Sequence, residues 1–126
     1  MKKVLVVDDE AFIRKMIEVR LKDAGFSVVE AQNGHEALEK VLSEKPSVII
    51  MDVMMPGMDG FQVCEIIRGT PEISDTPILM LTARGQMIDM ERAMALGVRE
   101  YITKPFSPRK LTEKVIDMLG AVRHEK

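Results

Sequence analysis

Short apolar runs alternate five times with longer segments of helical period along this chain. The runs are Val4–Val7, Phe26–Val29, Val48–Met51, Ile78–Leu81 and Glu100–Ile102, the last being the least apolar. Between the first two, Phe12, Ile13, Met16, Ile17, Leu21 and Ala24 recur at three- and four-residue steps, the spacing of one helix face. Ala37, Leu38, Val41 and Leu42 repeat the pattern, then Phe61, Cys64 and Ile67, then Met87, Met90 and Met94. Leu111, Val115, Met118, Leu119 and Val122 make the fifth. The punctuation agrees. Asn33-Gly34-His35-Glu36 and Asp59-Gly60-Phe61-Gln62 read as helix starts, and Ser107-Pro108 puts a cap before a proline at the first helical position. Gly25, Gly69, Gly97 and Gly120 stand where helices should stop. Five strand-then-helix units predict an α/β fold, a (βα)5 open, doubly wound parallel sheet with helices on both faces. Near-continuous apolar strands fit that double burial better than an antiparallel sheet with one wet face.

In open α/β sheets ligands bind at the carboxyl ends of the strands, beside the point where strand order reverses. Here the first strand runs into Asp8-Asp9-Glu10, the third into Asp52, the fourth into Thr82 and the fifth into Lys104. The second ends in Glu30-Ala31-Gln32, with nothing comparable. A strand order of 2-1-3-4-5 puts that idle strand at an edge and gathers the four active ends. Three carboxylates in one cleft repel each other unless a cation intervenes. Their hard oxygens suit Mg²⁺ (or Mn²⁺), which typically takes one or two carboxylates plus phosphate oxygens. Lys104 adds a point charge for an anion and Thr82 a hydroxyl donor. This is the chemistry of phosphoryl transfer, which is mostly positioning and charge neutralisation. Asp52 is the candidate nucleophile, alone at a central strand end, while Asp8 and Asp9 form a natural metal pair. Taken singly, each residue has a plainer account. Aspartates after strands are commonly turn residues or caps, Asp9 as cap of the first helix among them, and a lysine beside a proline is commonly a solvated loop residue. Their joint occurrence at four strand ends favours the site.

Composition narrows the class. The 126 residues are 46% hydrophobic and 30% charged, enough for one core and too apolar for a disordered chain. Eighteen Lys and Arg against twenty Asp and Glu leave a net charge of −2. Up to residue 63 there are 11 acidic and 8 basic residues, and beyond it 9 and 10, so neither half is a nucleic-acid arm or an acidic tail. No apolar run is long enough to span a bilayer, and the basic start meets Asp8-Asp9 too soon for a signal peptide. A cytoplasmic location without membrane insertion is expected. The single Cys64 excludes an internal disulfide and a cysteine-based zinc cage.

With these residues in place, the chain resembles a response-regulator receiver domain, the phosphoacceptor half of two-component signalling, of the single-domain chemotaxis-regulator type. The likeness rests on Val-Leu-Val-Val-Asp8-Asp9-Glu10, Met51-Asp52-Val-Met-Met-Pro56-Gly-Met-Asp59-Gly60, Leu81-Thr82-Ala83 and Lys104-Pro105-Phe106. It implies a flavodoxin-like three-layer sandwich, with Asp52 as the phosphorylated aspartate. Asp8, Asp9, Asp52 and the backbone carbonyl of Met54 would hold the Mg²⁺. Lys104 would contact a phosphoryl oxygen, and its bond to Pro105 would be cis, which residue identity alone gives only about a 5–6% chance. Thr82 and Tyr101 match the family's switch pair: the hydroxyl moves toward the phosphoryl group and the ring turns inward, shifting the packing of the fourth helix, fifth strand and fifth helix. By itself Tyr101 reads more simply as a half-buried ring with a wet hydroxyl. Met54 and Arg84 flank the site, and an apolar methionine with an arginine implies a fairly long-lived phosphorylated state.

The resemblance also implies partners: a sensor histidine kinase or histidine phosphotransfer protein as donor, and a downstream protein target on the face of the fourth helix, fifth strand and fifth helix. No direct nucleic-acid contact is expected, and the oligomeric state is that of a monomer or a weak phosphorylation-dependent dimer. The chain would catalyse its own phosphorylation and dephosphorylation without turning over an independent substrate, and so is not expected to be an enzyme. The receiver takes residues 1–122, leaving 123–126 as a short tail without an output domain. A stand-alone receiver is thus expected, the alternative being the receiver part of a larger DNA-binding or enzymatic regulator. A metal-dependent phosphohydrolase with an aspartyl-phosphate intermediate is a further alternative. Phosphatases of the haloacid-dehalogenase type place a general-acid aspartate two residues after the nucleophile, where this chain has Met54. Flavin or nucleotide binding would need a phosphate cradle after the first strand, where Asp8-Asp9 repel phosphate. Most of the eleven methionines read as core filler. Met87, Met90 and Met94 read equally as a buried helix face or an adaptable docking stripe. His35 and His124 have no companions at ligand spacing. Arg109, Lys110 and Lys114 read as a solvated face.

Overall fold

A computed structural model describes residues 2–83 and 90–119. Five parallel strands, β1 (Lys3–Val7), β2 (Ser27–Ala31), β3 (Val48–Asp52), β4 (Ile78–Ala83) and β5 (Glu100–Lys104), lie in the order β2-β1-β3-β4-β5. Helices α1 (Ala11–Asp23), α2 (Gly34–Glu44), α3 (Gly60–Arg68), α4 (Met90–Ala95) and α5 (Pro108–Leu119) alternate with them, and a 3₁₀ turn at Pro71–Ile73 precedes β4. This is the flavodoxin-like topology expected from the strand ends.

Two-residue periodicity divides the sheet between two cores. Leu5, Val7, Ile49, Met51, Ile78 and Met80 face α2, α3 and α4, meeting Ala37, Val41, Val63, Cys64, Ile67 and Ala93. Val4, Val6, Val48, Ile50, Leu79 and Leu81 face α1 and α5, meeting Ile17, Leu21, Leu111 and Val115. Nearly every residue of β1, β3 and β4 is buried, which is why those strands read as unbroken apolar runs. Each such aliphatic side chain contributes about 1.5–3 kcal/mol by leaving water.

The edges depart from the apolar runs. β2 begins one residue after Phe26, which is buried at the turn, and continues through Glu30 and Ala31. β5 continues two residues past Ile102, because an edge strand buries only one side and tolerates Thr103 and Lys104. Phe12 is 76% exposed and Leu42 is exposed too, so the stripes on α1 and α2 are narrower than their apolar residues imply. Met94 is exposed, while Ala93 beside it is buried, so the methionine is not core on α4.

The caps are as local as expected. Asp59 and Gln62 form a reciprocal capping box at 2.9 and 2.8 Å. Asn33 Oδ1 accepts from the Glu36 N–H, but Glu36 reaches back to the Gln32 N–H instead of closing the box. Asp9 does not cap α1: Glu10 holds that position, with no side-chain capping bond. α2 ends at Lys45 in the left-handed region with φ 46°, a stop that no glycine announces. Among the described residues, no helix is long and apolar enough to cross a membrane. Arg84, Met87, Gly120, Val122, His124 and the 123–126 tail lie outside the described residues.

Candidate functional site at the carboxyl edge of the sheet

Strand register brings the polar ends together. Val7 pairs with Met51, so Asp8 and Asp52 follow at the same level on adjacent strands. Asp52 pairs with Leu81, Thr82 follows, and Ala83 pairs with Lys104. The reversal of strand order between β1 and β3 opens the cleft there, since their connecting helices leave toward opposite faces.

Asp8 is fully buried and every polar group on it is engaged. Its N–H donates to the Ala31 carbonyl at 3.2 Å, and its carbonyl accepts from Arg14 Nη1 at 2.7 Å. Oδ1 accepts from the Glu10 N–H at 2.9 Å, and Oδ2 accepts from Lys104 Nζ at 2.8 Å. Asp52 is 4% exposed, with Oδ1 3.5 Å from Lys104 Nζ. Glu10 Oε1 lies 3.7 Å from the same ammonium. Asp8, Asp9 and Asp52 each offer a carboxylate oxygen within 4.8 Å of the others. The Asp9 carboxylate has no hydrogen-bond or ion-pair partner among the described residues.

The electrostatics follow. Burial, then the charge of Asp8, pushes the Asp52 carboxyl up to about 6, against the opposing pull of Lys104. Burial alone would lower the Lys104 ammonium, but the Asp8 hydrogen bond and the charges of Asp52, Asp8 and Glu10 outweigh it and hold it above the usual range. One ammonium among three carboxylates leaves an excess of negative charge. Oxygen donors alone, with no nitrogen or sulfur, suit a small hard cation, and Asp9, without a partner among the described residues, has an open donor for one. The donor set therefore fits Mg²⁺ or Mn²⁺.

Thr82 is 4% exposed, one residue past the partner of Asp52, and its hydroxyl makes no hydrogen bond to a described residue. Tyr101 is 44% exposed and lines a groove of about 310 Å³ between β5 and α5, with Phe106, Lys110 and Lys114. Its exposed ring is compatible both with the wet tyrosine and with an outward state of a switch. Met54 follows Asp52 by two residues and is 59% exposed. The Lys104–Pro105 peptide is cis.

Two residues escaped the sequence reading. Gly60 reads as part of a cap and of the motif that follows Asp52, neither of which explains the glycine: a Cβ there would lie 2.5 Å from the Asp52 carbonyl oxygen and 3.0 Å from Val53 Cα. Its N–H donates to the Val53 carbonyl at 2.8 Å, so the start of α3 sits directly on the backbone carrying Asp52. Arg14 carries no signal of its own in the sequence, and nothing local indicates that its side chain folds back onto the Asp8 carbonyl.

Comparison with known proteins follows the same lines. Residues 4–116 match the family model for the response regulator receiver domain. The "probable transcriptional regulator ycf27" of Guillardia theta is 49% identical over 90% of this chain and 43% of its own length. The alkaline phosphatase synthesis transcriptional regulatory protein PhoP of Bacillus subtilis is 44% identical over 90% of this chain and 47% of its own. The chain thus spans about half the length of these curated relatives. The crystal structure of the Vibrio cholerae chemotaxis protein CheY4 superposes with a TM-score of 0.85 at 38% identity, covering 93% of this chain and 98% of that one. Matched by the family model over residues 4–116 and by the fold of a solved receiver over nearly all its length, this chain belongs to the response-regulator receiver family.

Proposed function

We propose that the protein takes a phosphoryl group from a histidine donor onto Asp52 and changes its affinity for a downstream protein while the group remains. The observation that carries this is the Asp52 carboxylate, buried at a central strand end between the Asp8–Asp9 pair and the Lys104 ammonium. An Asp52 oxygen attacks phosphorus, the bond from phosphorus to the donor nitrogen breaks, and an acyl phosphate forms. Lys104 stands where its ammonium can shift from the carboxylate to a phosphoryl oxygen. Asp8, Asp9, Asp52 and the Met54 carbonyl would hold a divalent cation, Mg²⁺ or Mn²⁺, which supplies charge neutralisation to the transferred group. The Thr82 hydroxyl, which makes no hydrogen bond to a described residue, then has an acceptor to move toward, and the Tyr101 ring would turn into the space it leaves. Water ends the state by attacking the acyl phosphate. In this reading the protein turns over no separate substrate and works in the cytoplasm, where a kinase's catalytic domain reaches it.

Intact mass after incubation with acetyl phosphate and Mg²⁺ tests the reading. Wild type should gain one phosphoryl group and Asp52→Asn none. A wild type that stays unlabelled, or a variant labelled equally, would refute it. Met54, two residues past Asp52, is apolar and offers water no hydrogen bond, so Met54→Asn should shorten the labelled state's half-life; an unchanged or longer one refutes the long-lived state.

A second reading is favoured by length. The relatives are named transcriptional regulators and are about twice as long. In such a protein the same receiver would pass its change to a DNA-binding remainder, whereas a stand-alone receiver would act by protein contacts only. Intact mass of the protein from its natural source separates the two.

A further inference from the structure

The turn that carries Asp8 and Asp9 is gripped from behind by one residue of α1. Arg14 Nη1 donates to the Asp8 carbonyl at 2.7 Å, and its backbone N–H donates to the Glu10 carbonyl at 3.1 Å. The backbone bond is the first helical bond of α1, which any residue at this position would make, whereas the side chain alone holds the Asp8 carbonyl, in the peptide that leads into Asp9. Nε of that arginine donates to Glu30 Oε1 at 3.0 Å, so the guanidinium spans α1, β2 and the acidic turn. The Arg14 side chain is largely buried, with 14% exposed. The Asp8 carboxylate has its own anchors in Lys104 and the Glu10 N–H. The Asp9 carboxylate has none among the described residues, so its direction rests on its backbone alone.

We infer that Arg14 is a positioning residue for the divalent cation: by fixing the peptide that leads into Asp9, its side chain aims that carboxylate toward those of Asp8 and Asp52. The inference rests on reading the cleft as a cation site. Mg²⁺ demands near-ideal octahedral geometry, so a small swing of one ligand matters. Residues that orient metal ligands are typically worth about 10–100-fold in affinity. A lysine cannot replace the arginine, since a single ammonium lacks the planar fork that serves Glu30 and the Asp8 carbonyl together. Charge alone has the opposite sign. A guanidinium near the cleft repels a cation, so a purely electrostatic Arg14 would weaken binding and its removal would strengthen it.

The test titrates Mn²⁺ into the full chain and counts free Mn²⁺ by electron paramagnetic resonance. Wild type, Arg14→Lys, Arg14→Met and Lys3→Met are compared, with metal-free melting curves establishing that each is folded. Lys3 pairs with Glu44 at 2.7 Å at the opposite end of β1 and serves as the remote control. Arg14→Lys keeps the charge and should raise the Kd about ten-fold; Arg14→Met should raise it at least as much; Lys3→Met should stay within about two-fold. A merely structural arginine would lower the melting temperature and leave the folded protein's affinity at the wild-type value. Wild-type affinity in Arg14→Lys, or tighter binding in Arg14→Met, overturns the inference, and if one variant fails to fold the other decides. Absence of Mn²⁺ binding by wild type would overturn the cation site itself and the inference with it.

Discussion

Replacing Asp52 with asparagine should stabilise the metal-free protein by about 2–3 kcal/mol at pH 7.5. The Asp52 carboxyl sits at about 6 in the folded protein, against an ordinary 3.8, because it is buried and faces Asp8. At about 1.4 kcal/mol per pKa unit, ionising it costs the folded state about 3 kcal/mol. Asparagine keeps the shape and removes the charge, while Lys104 retains Asp8 at 2.8 Å. The value of about 6 already includes the pull of Lys104 at 3.5 Å, so losing that contact subtracts nothing further. A folded value above the unfolded one means that ionisation favours the unfolded chain. The cost is absent below about pH 4, grows through the interval to about 6, and is complete above it. The advantage of Asp52→Asn should therefore fall to about 1 kcal/mol at pH 4.5. Urea unfolding followed by circular dichroism, with EDTA present, measures both differences. Equal stability at pH 7.5, or a gain of the same size at both pH values, would refute the reasoning.

Three further perturbations probe the surroundings. Gly60→Ala should cost about 1–3 kcal/mol, because its Cβ would meet the Asp52 carbonyl oxygen at 2.5 Å and backbone cannot yield as a flexible side chain would; thermal unfolding reads this. Lys104→Met leaves the fully buried Asp8 without its cation and should cost about 1–3 kcal/mol at pH 7 while slowing labelling by acetyl phosphate. Burial pushes the Cys64 thiol up to about 12, so iodoacetamide at pH 8 should leave native protein unmodified and alkylate it only in urea.

Strand and helix order, the caps at Asn33 and Asp59, and the identity of the cleft residues were legible in the sequence, because each depends on local rules. Apolar strands buried on both faces show as unbroken runs, caps need only their next three residues, and a strand's last residue sets what stands at the sheet's carboxyl edge. Chain order also confined Asp8, Asp52, Thr82 and Lys104 to one edge once the sheet was parallel. Tertiary structure decided what depends on distant partners. Lys45 ends α2 without a glycine, Phe12 faces solvent despite its helical spacing, and Gly60 is needed for the backbone of Asp52 rather than for its own turn. The 2.8 Å pairing of Lys104 with Asp8 joins residues 96 positions apart, and the grip of Arg14 on Asp8 joins a helix side chain to a carbonyl. Periodicity records which side of an element is apolar. It carries no record of where a long side chain ends or how much water a carboxylate keeps, and those two quantities set the charge state of Asp52 and the aim of Asp9.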